Sequence, residues 1–235
     1  MALRAPHPGV AVPSSAVWTR RLTAEALHRA WTWAGKVGSV NGTDPRGRRF
    51  RKMGDTSCLS FPTGAVFGEG YIEIGDECIF GPYVSLTAGM APGQDLGDDA
   101  VIRVGDRVRI GRGSHIVAHH SITIEDDVIS GPYIYVTDQN HVYADTSVPI
   151  ARQWPTNDSV RIGAGSWLGA NAVILPGTDL GRNVVVAANA VVRGDVPDFS
   201  VVAGAPAKVV RRHTDDGWDP PLRDVVITPP EGYKP

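Results

Sequence analysis

The chain has 235 residues, enough to bury a full core in one elongated domain or in one domain with a short extension. Its 23 Lys and Arg are nearly balanced by 25 Asp and Glu, which argues against a general nucleic-acid binder, since that needs a basic face. No stretch approaches the roughly 20 apolar residues of a membrane span, and no apolar run at the N-terminus reads as a signal peptide, so a cytoplasmic location is the expectation. Cys58 and Cys78 match no metal or redox spacing and read as ordinary packed residues.

Residues 15–35 read as an amphipathic helix, with Trp18, Leu22, Leu27, Ala30, Trp31 and Ala34 forming an apolar stripe. Such a helix packs on the rest of the chain or on a neighbouring subunit. Arg20, Arg21 and Arg29 leave a second reading open, a peripheral contact with a membrane surface. Arg46, Arg48, Arg49, Arg51 and Lys52 then form a dense basic cluster, either a solvated linker or a site for an anionic group. Residues 1–52 are therefore read as an N-terminal extension.

From residue 53 onward a six-residue period takes over. Ile74, Phe80 and Leu86 keep it, then Val104, Ile110, Ile116 and Ile122, then Ile124, Ser130 and Val136 with an offset of two. The run is longest at Ile162, Leu168, Ile174, Leu180, Val186 and Val192, most of them followed by a small residue such as Gly163, Gly169 or Gly181. A helix needs apolar steps of three and four, and a lone strand needs strict alternation. A six-step register fits neither. It fits a coil of three short strands and three tight corners per turn, each coil hydrogen-bonded to the next. The fold class is thus all-β, a parallel β-helix of about five coils over residues 53–212, followed by a Pro- and Asp-rich tail at 213–235. Residues 87–103 and 142–159 break the register, and loops on a rigid scaffold are where function gathers.

Chemistry-bearing residues cluster near these breaks. His115, His119, His120 and His141 fall in one short stretch. His120 sits, in the register of Ile116, at a position elsewhere small and inward-facing. His141 closes Thr137-Asp138-Gln139-Asn140-His141, where the second loop departs, with Asp138 three residues before it. An imidazole oriented by a carboxylate and titrating near neutrality is what a general base for a hydroxyl requires.

The stretch 162–211 resembles the C-terminal coils of hexapeptide-repeat acyltransferases, in particular the galactoside and maltose O-acetyltransferases. The resemblance rests on Trp167-Leu168-Gly169-Ala170, Ile174-Leu175-Pro176-Gly177 and the closing Val202-Ala203-Gly204-Ala205-Pro206-Ala207-Lys208. Asp138 and His141, followed by Tyr143, Asp145, Pro149, Ile150 and Gln153, are more similar to the branch that acetylates surface polysaccharides. The resemblance implies a left-handed coil. It also implies acetyl-CoA as acyl donor, no metal, a sugar or glycoconjugate acceptor, and a homotrimer with sites between subunits. By the same resemblance His141 is the catalytic base and Asp138 its partner. Trp167, Ala170 and Ala188 lie along the pantetheine arm, Lys208 and Arg211 near the CoA phosphates, and the corner at Gly169 is the candidate source of a backbone N–H for the oxyanion. Arg193 replaces a small hydroxyl residue of the family and either adds a phosphate contact or faces solvent. His119, His120 and Tyr143 are candidates for touching the acceptor. The residues that hold the acceptor in the galactoside enzymes have no counterpart at the aligned places, which leaves the sugar itself open.

Three other readings remain at this stage. One moves the acyl group to an amine of an amino sugar or antibiotic. Another is a zinc enzyme like the γ-type carbonic anhydrases, for which His115 and His120 would need a third histidine that residues 53–114 do not contain. The last is a non-catalytic β-helix scaffold.

Overall fold

The computed structural model describes residues 14–223, which form two units, one up to Gly38 and one from Ser39 onward. Residues 1–13 of the expected extension, and the tail beyond residue 223, lie outside the described residues. The first unit contains the helix Ser14–Gly38, the expected helix lengthened by one residue at its start and three at its end. Trp18, Leu22, Leu27 and Trp31 of the expected stripe are exposed on it, as are Trp33 and Val37. Among the described residues no helix is long and apolar enough to cross a membrane.

The second unit is a three-sided parallel β-helix. Each turn lays one strand on each of three faces. The first face runs from Lys52–Met53 through Ile72–Ile74, Ile102–Val104, Ile122–Ile124, Val160–Ile162 and Asp179–Leu180 to Asp195–Val196. The second stacks Cys58–Leu59, Ile79–Phe80, Arg109–Ile110, Ile129–Ser130, Trp167–Leu168, Val185–Val186 and Ser200–Gly204. The third stacks Val66–Phe67, Ser85–Ala88, His115–Ala118, Tyr135–Thr137, Val173–Ile174 and Val191–Val192. All neighbours within these stacks pair in parallel. Antiparallel strands close the second face: Val40–Asn41 at one end, Ala207–Thr214 and Gly217–Asp219 at the other.

There are thus six full turns and two strands of a seventh, against the expectation of about five. The extra turn is the first. Met53 and Leu59 keep the six-residue step, but the next inward side comes at Val66, and the added residue hides the turn from a hexad search.

The repeat has a direct physical cause. The apolar hexad residues, such as Ile74, Phe80, Leu86, Ile162, Leu168 and Ile174, point inward and are essentially fully buried in one continuous core. The position after each one meets the next coil's backbone: a Cβ on Gly169 would stand 2.5 Å from Ala188 N, closer than real Cβ contacts come. Small hydroxyl residues at the corners bridge coils. Ser166 Oγ donates to Gly181 O at 3.2 Å and accepts from Val184 N at 3.1 Å, so this buried polar group is satisfied.

Apart from the added residue between Leu59 and Val66, the breaks in the register fall at one edge, between the third face and the first. Residues 89–101 protrude there after the second turn, and residues 138–159 after the fourth. Between them lies a smaller irregularity. Ile116 and Ile124, equivalent inward positions, are eight residues apart instead of six. The two added residues make a wide corner at His119, His120 and Ser121. This corrects the inward position expected for His120: the wider corner turns its side chain outward, and it is exposed.

Candidate active site

His141 stands at the start of the loop that leaves this edge. Gln139–Asn140 and Thr156–Asn157 pair antiparallel as the loop's base. Within the loop, Gln153 ties two points together. Its Nε2 donates to Asp145 O at 2.8 Å and to Val148 O at 2.9 Å, while its Oε1 accepts from Asp145 N at 3.2 Å. The Asp145 carboxyl, held by the Ser147 hydroxyl and backbone N–H, lies below its usual pKa. His141 and Tyr143 are exposed on this loop.

Asp138 is fully buried, and its carboxylate is committed to backbone donors. Oδ1 accepts from His119 N at 2.8 Å, and Oδ2 accepts from His120 N at 2.8 Å and Ser121 N at 2.7 Å. Among the described residues no hydrogen bond joins Asp138 to His141. The expected pairing of the two is therefore replaced by a staple: the residue before the loop satisfies three N–H groups that the wide corner withdraws from the strand ladder.

His119 lies at this staple. Gln139 Nε2 is 2.6 Å from its Nδ1. Burial holds the His119 imidazole below its ordinary pKa, with His141 adding to the shift and Asp138 opposing it. His119 and His141 are thus electrostatic neighbours. His120 is exposed at the same corner, whereas His115 points outward from the third face beside Tyr135, ring centroids 6.5 Å apart. Among the described residues no three His, Cys, Asp or Glu side chains are grouped to hold a metal. Gln139 is the member of this cluster that the sequence did not single out. It lies inside the Asp138–His141 motif, but its use depends on a contact 20 positions away.

The expected CoA residues lie elsewhere. Trp167 faces outward on the second face, half exposed. Its register partner is Val185, whose partner is Val201, whose antiparallel partner is Arg211. Trp167 and Arg211 therefore sit in one outward row, three strand spacings or about 14 Å apart. Among the described residues Arg211 Nε is buried without a hydrogen-bond partner, one guanidinium donor left to be satisfied. Lys208 is exposed on the same closing strand. Gly169, Ala170 and Ala188 form the corner between the second and third faces, where Asn189 N donates to Ala170 O at 2.9 Å. Arg193 is exposed at the edge between the third face and the first, on a later turn than His141. In a three-sided coil the second face lies opposite that edge. Trp167 and His141 of one chain accordingly do not share a cleft.

Comparisons with known proteins agree with this architecture. Residues 159–194 match the family described as bacterial transferase hexapeptide (six repeats). A probable acetyltransferase of Mycobacterium tuberculosis is 41% identical over 110 residues, 47% of this chain but only 37% of that protein. WbbJ of Escherichia coli, a putative lipopolysaccharide biosynthesis O-acetyl transferase, is 33% identical over 139 residues, 56% of this chain and 71% of the relative. Among solved structures, AntD, an N-acyltransferase from Bacillus cereus, superposes with a TM-score of 0.59 at 15% identity, covering 75% of this chain and 94% of that one; at that identity the likeness concerns the fold alone. With a hexapeptide model over its last regular coils and a relative matched along most of its length, the chain belongs to the hexapeptide-repeat acetyltransferases.

Proposed function

We propose that the chain transfers an acetyl group from acetyl-CoA to a hydroxyl of a sugar or glycoconjugate, with His141 as general base. The observation that carries this reading is the outward row from Trp167 to Arg211. An outward indole and a half-buried arginine whose Nε has no partner among the described residues, on strands about 14 Å apart, suit a pantetheine arm ending in phosphates. The sugar acceptor is argued from the relatives, which include the WbbJ protein named for lipopolysaccharide biosynthesis and a galactoside O-acetyltransferase of Escherichia coli, 30% identical over 122 residues.

In the reaction the acceptor oxygen attacks the thioester carbon while His141 takes the hydroxyl proton. The C–S bond then breaks, and the thiolate leaves with that proton. No covalent enzyme intermediate is needed. Because Trp167 and His141 lie on opposite sides of one coil, we infer that each site joins His141 of one subunit to Trp167 of the next, in a homotrimer.

Lysine acts on phosphate as a point charge and arginine as a fork, so removing both cations should weaken CoA binding strongly. Lys208→Ala combined with Arg211→Ala is expected to raise the CoA dissociation constant at least about 30-fold, the worth of one charge-assisted hydrogen bond. Isothermal titration reads this directly. Unchanged affinity would remove the second face from the reading.

The helix supports a further contact. Exposed Trp18, Trp31 and Trp33 stand among Arg20, Arg21, Arg29 and Lys36, with Glu25 the only acid of the element. Tryptophan favours the membrane interface and cations favour anionic lipid. The full chain is expected to sediment with vesicles containing phosphatidylglycerol and not with pure phosphatidylcholine vesicles. Arg20→Glu with Arg29→Glu should abolish this, and equal sedimentation of the double variant would refute the contact.

A further inference from the structure

The edge that carries His141 carries a second imidazole whose hydrogen bonding is already arranged. Resting on the acyl-transfer reading above, we propose that Gln139 holds His119 as a neutral ring with its proton on Nε2. His119 then donates a hydrogen bond to the acceptor oxygen, and His141 alone serves as base.

Two residues of the turn above fix His119. Asp138 accepts from its backbone N–H, and Gln139 Nε2 meets its Nδ1 at 2.6 Å. Gln139 is itself anchored. Its N–H donates to Thr137 Oγ1 at 3.2 Å, and it pairs with Asn157 across the base of the loop. A carboxamide nitrogen has only protons to offer, so Nδ1 must present its lone pair and the ring proton resides on Nε2. A second proton on the ring would break that contact, and partial burial opposes the charge it would bring. Nε2 has no partner among the described residues, so its proton is free for a ligand.

This divides the labour between two neighbouring imidazoles. A base needs an open lone pair toward the hydroxyl, and His119 has its only lone pair occupied. It can donate but cannot abstract. His141 has no such partner among the described residues and keeps both options. Gln139 is on this account a positioning residue acting through His119, and a carboxylate in its place reverses the arrangement by accepting from Nδ1–H.

The test reads the tautomer without needing the natural acceptor. The full chain, with its seven histidines labelled with nitrogen-15, is studied by two-bond nitrogen–proton correlation near neutral pH, and His119 is assigned by its loss in His119→Asn. Wild-type His119 is expected as the Nε2–H form, and Gln139→Glu is expected to convert it to the Nδ1–H form or to imidazolium. Gln139→Leu, which keeps the bulk, should give a mixture of tautomers and guards against misfolding of the charged variant. A wild-type Nδ1–H ring, or no change in either variant, overturns the proposal. The kinetic arm measures thiol release from acetyl-CoA with a panel of methyl hexopyranosides. For any acceptor that turns over, Gln139→Glu should lower kcat/KM about tenfold, one hydrogen bond's worth, at unchanged CoA affinity. If the wild-type chain binds CoA but releases no thiol with any sugar, the hydroxyl-transfer reading fails and the role given to the Nε2 proton fails with it, whatever the tautomer. If thiol is released and Gln139→Glu turns over like wild type, only the role of His119 fails.

Discussion

Replacing His141 with alanine is expected to lower acetyl-transfer turnover about 10²- to 10⁴-fold, the range for loss of a positioned general base, while CoA binds as before. The separation follows from the fold. His141 belongs to the loop at the edge between the third and first faces, whereas the row from Trp167 to Arg211 lies on the second. The substitution removes no core contact, since His141 is exposed, so the folded state should survive it. Turnover within threefold of wild type would transfer the base to another residue.

Asp138→Ala has the larger expected effect on stability. The fully buried carboxylate accepts from three consecutive N–H groups, those of His119, His120 and Ser121. Each buried donor left unsatisfied costs about 1–3 kcal/mol, and water reaching this edge offsets part of it, leaving a loss of roughly 3–5 kcal/mol. The unfolding midpoint should fall by about 10 °C. Asp138→Asn retains one acceptor oxygen and should lose about half as much. If Asp138→Ala left the midpoint unchanged, the corner would have to be held by something other than this staple. Activity is expected to fall in both variants through displacement of His119, since the carboxylate does not contact His141.

What the sequence disclosed and what it hid have separate physical causes. The hexads from Ile162 to Val192 report the core directly, because each inward side chain recurs at a fixed step and each close approach of coils demands a small residue such as Gly169. The first turn escaped because one residue between Leu59 and Val66 breaks that step. The offset of two at Ile122 and Ile124 was visible, but its meaning was not. It marks the wide corner whose N–H groups Asp138 satisfies from the turn above. The Asp138–His141 spacing invited a pairing that the coil does not make, since strand geometry sends the carboxylate inward and carries His141 out on the loop. Gln139 was invisible as a functional residue for a related reason: its partner His119 is near only after one full turn of the coil. The row from Trp167 to Arg211 depends on strands that meet only when the chain folds back at Gly204, so only the residue types were legible beforehand.

Acyl transfer from CoA is tested most directly by thiol release. Purified chain mixed with acetyl-CoA and a panel of hexopyranosides should liberate free thiol at a rate that depends on the sugar and is lost in His141→Ala. Release that is independent of every sugar, or unaltered by loss of His141, would contradict it.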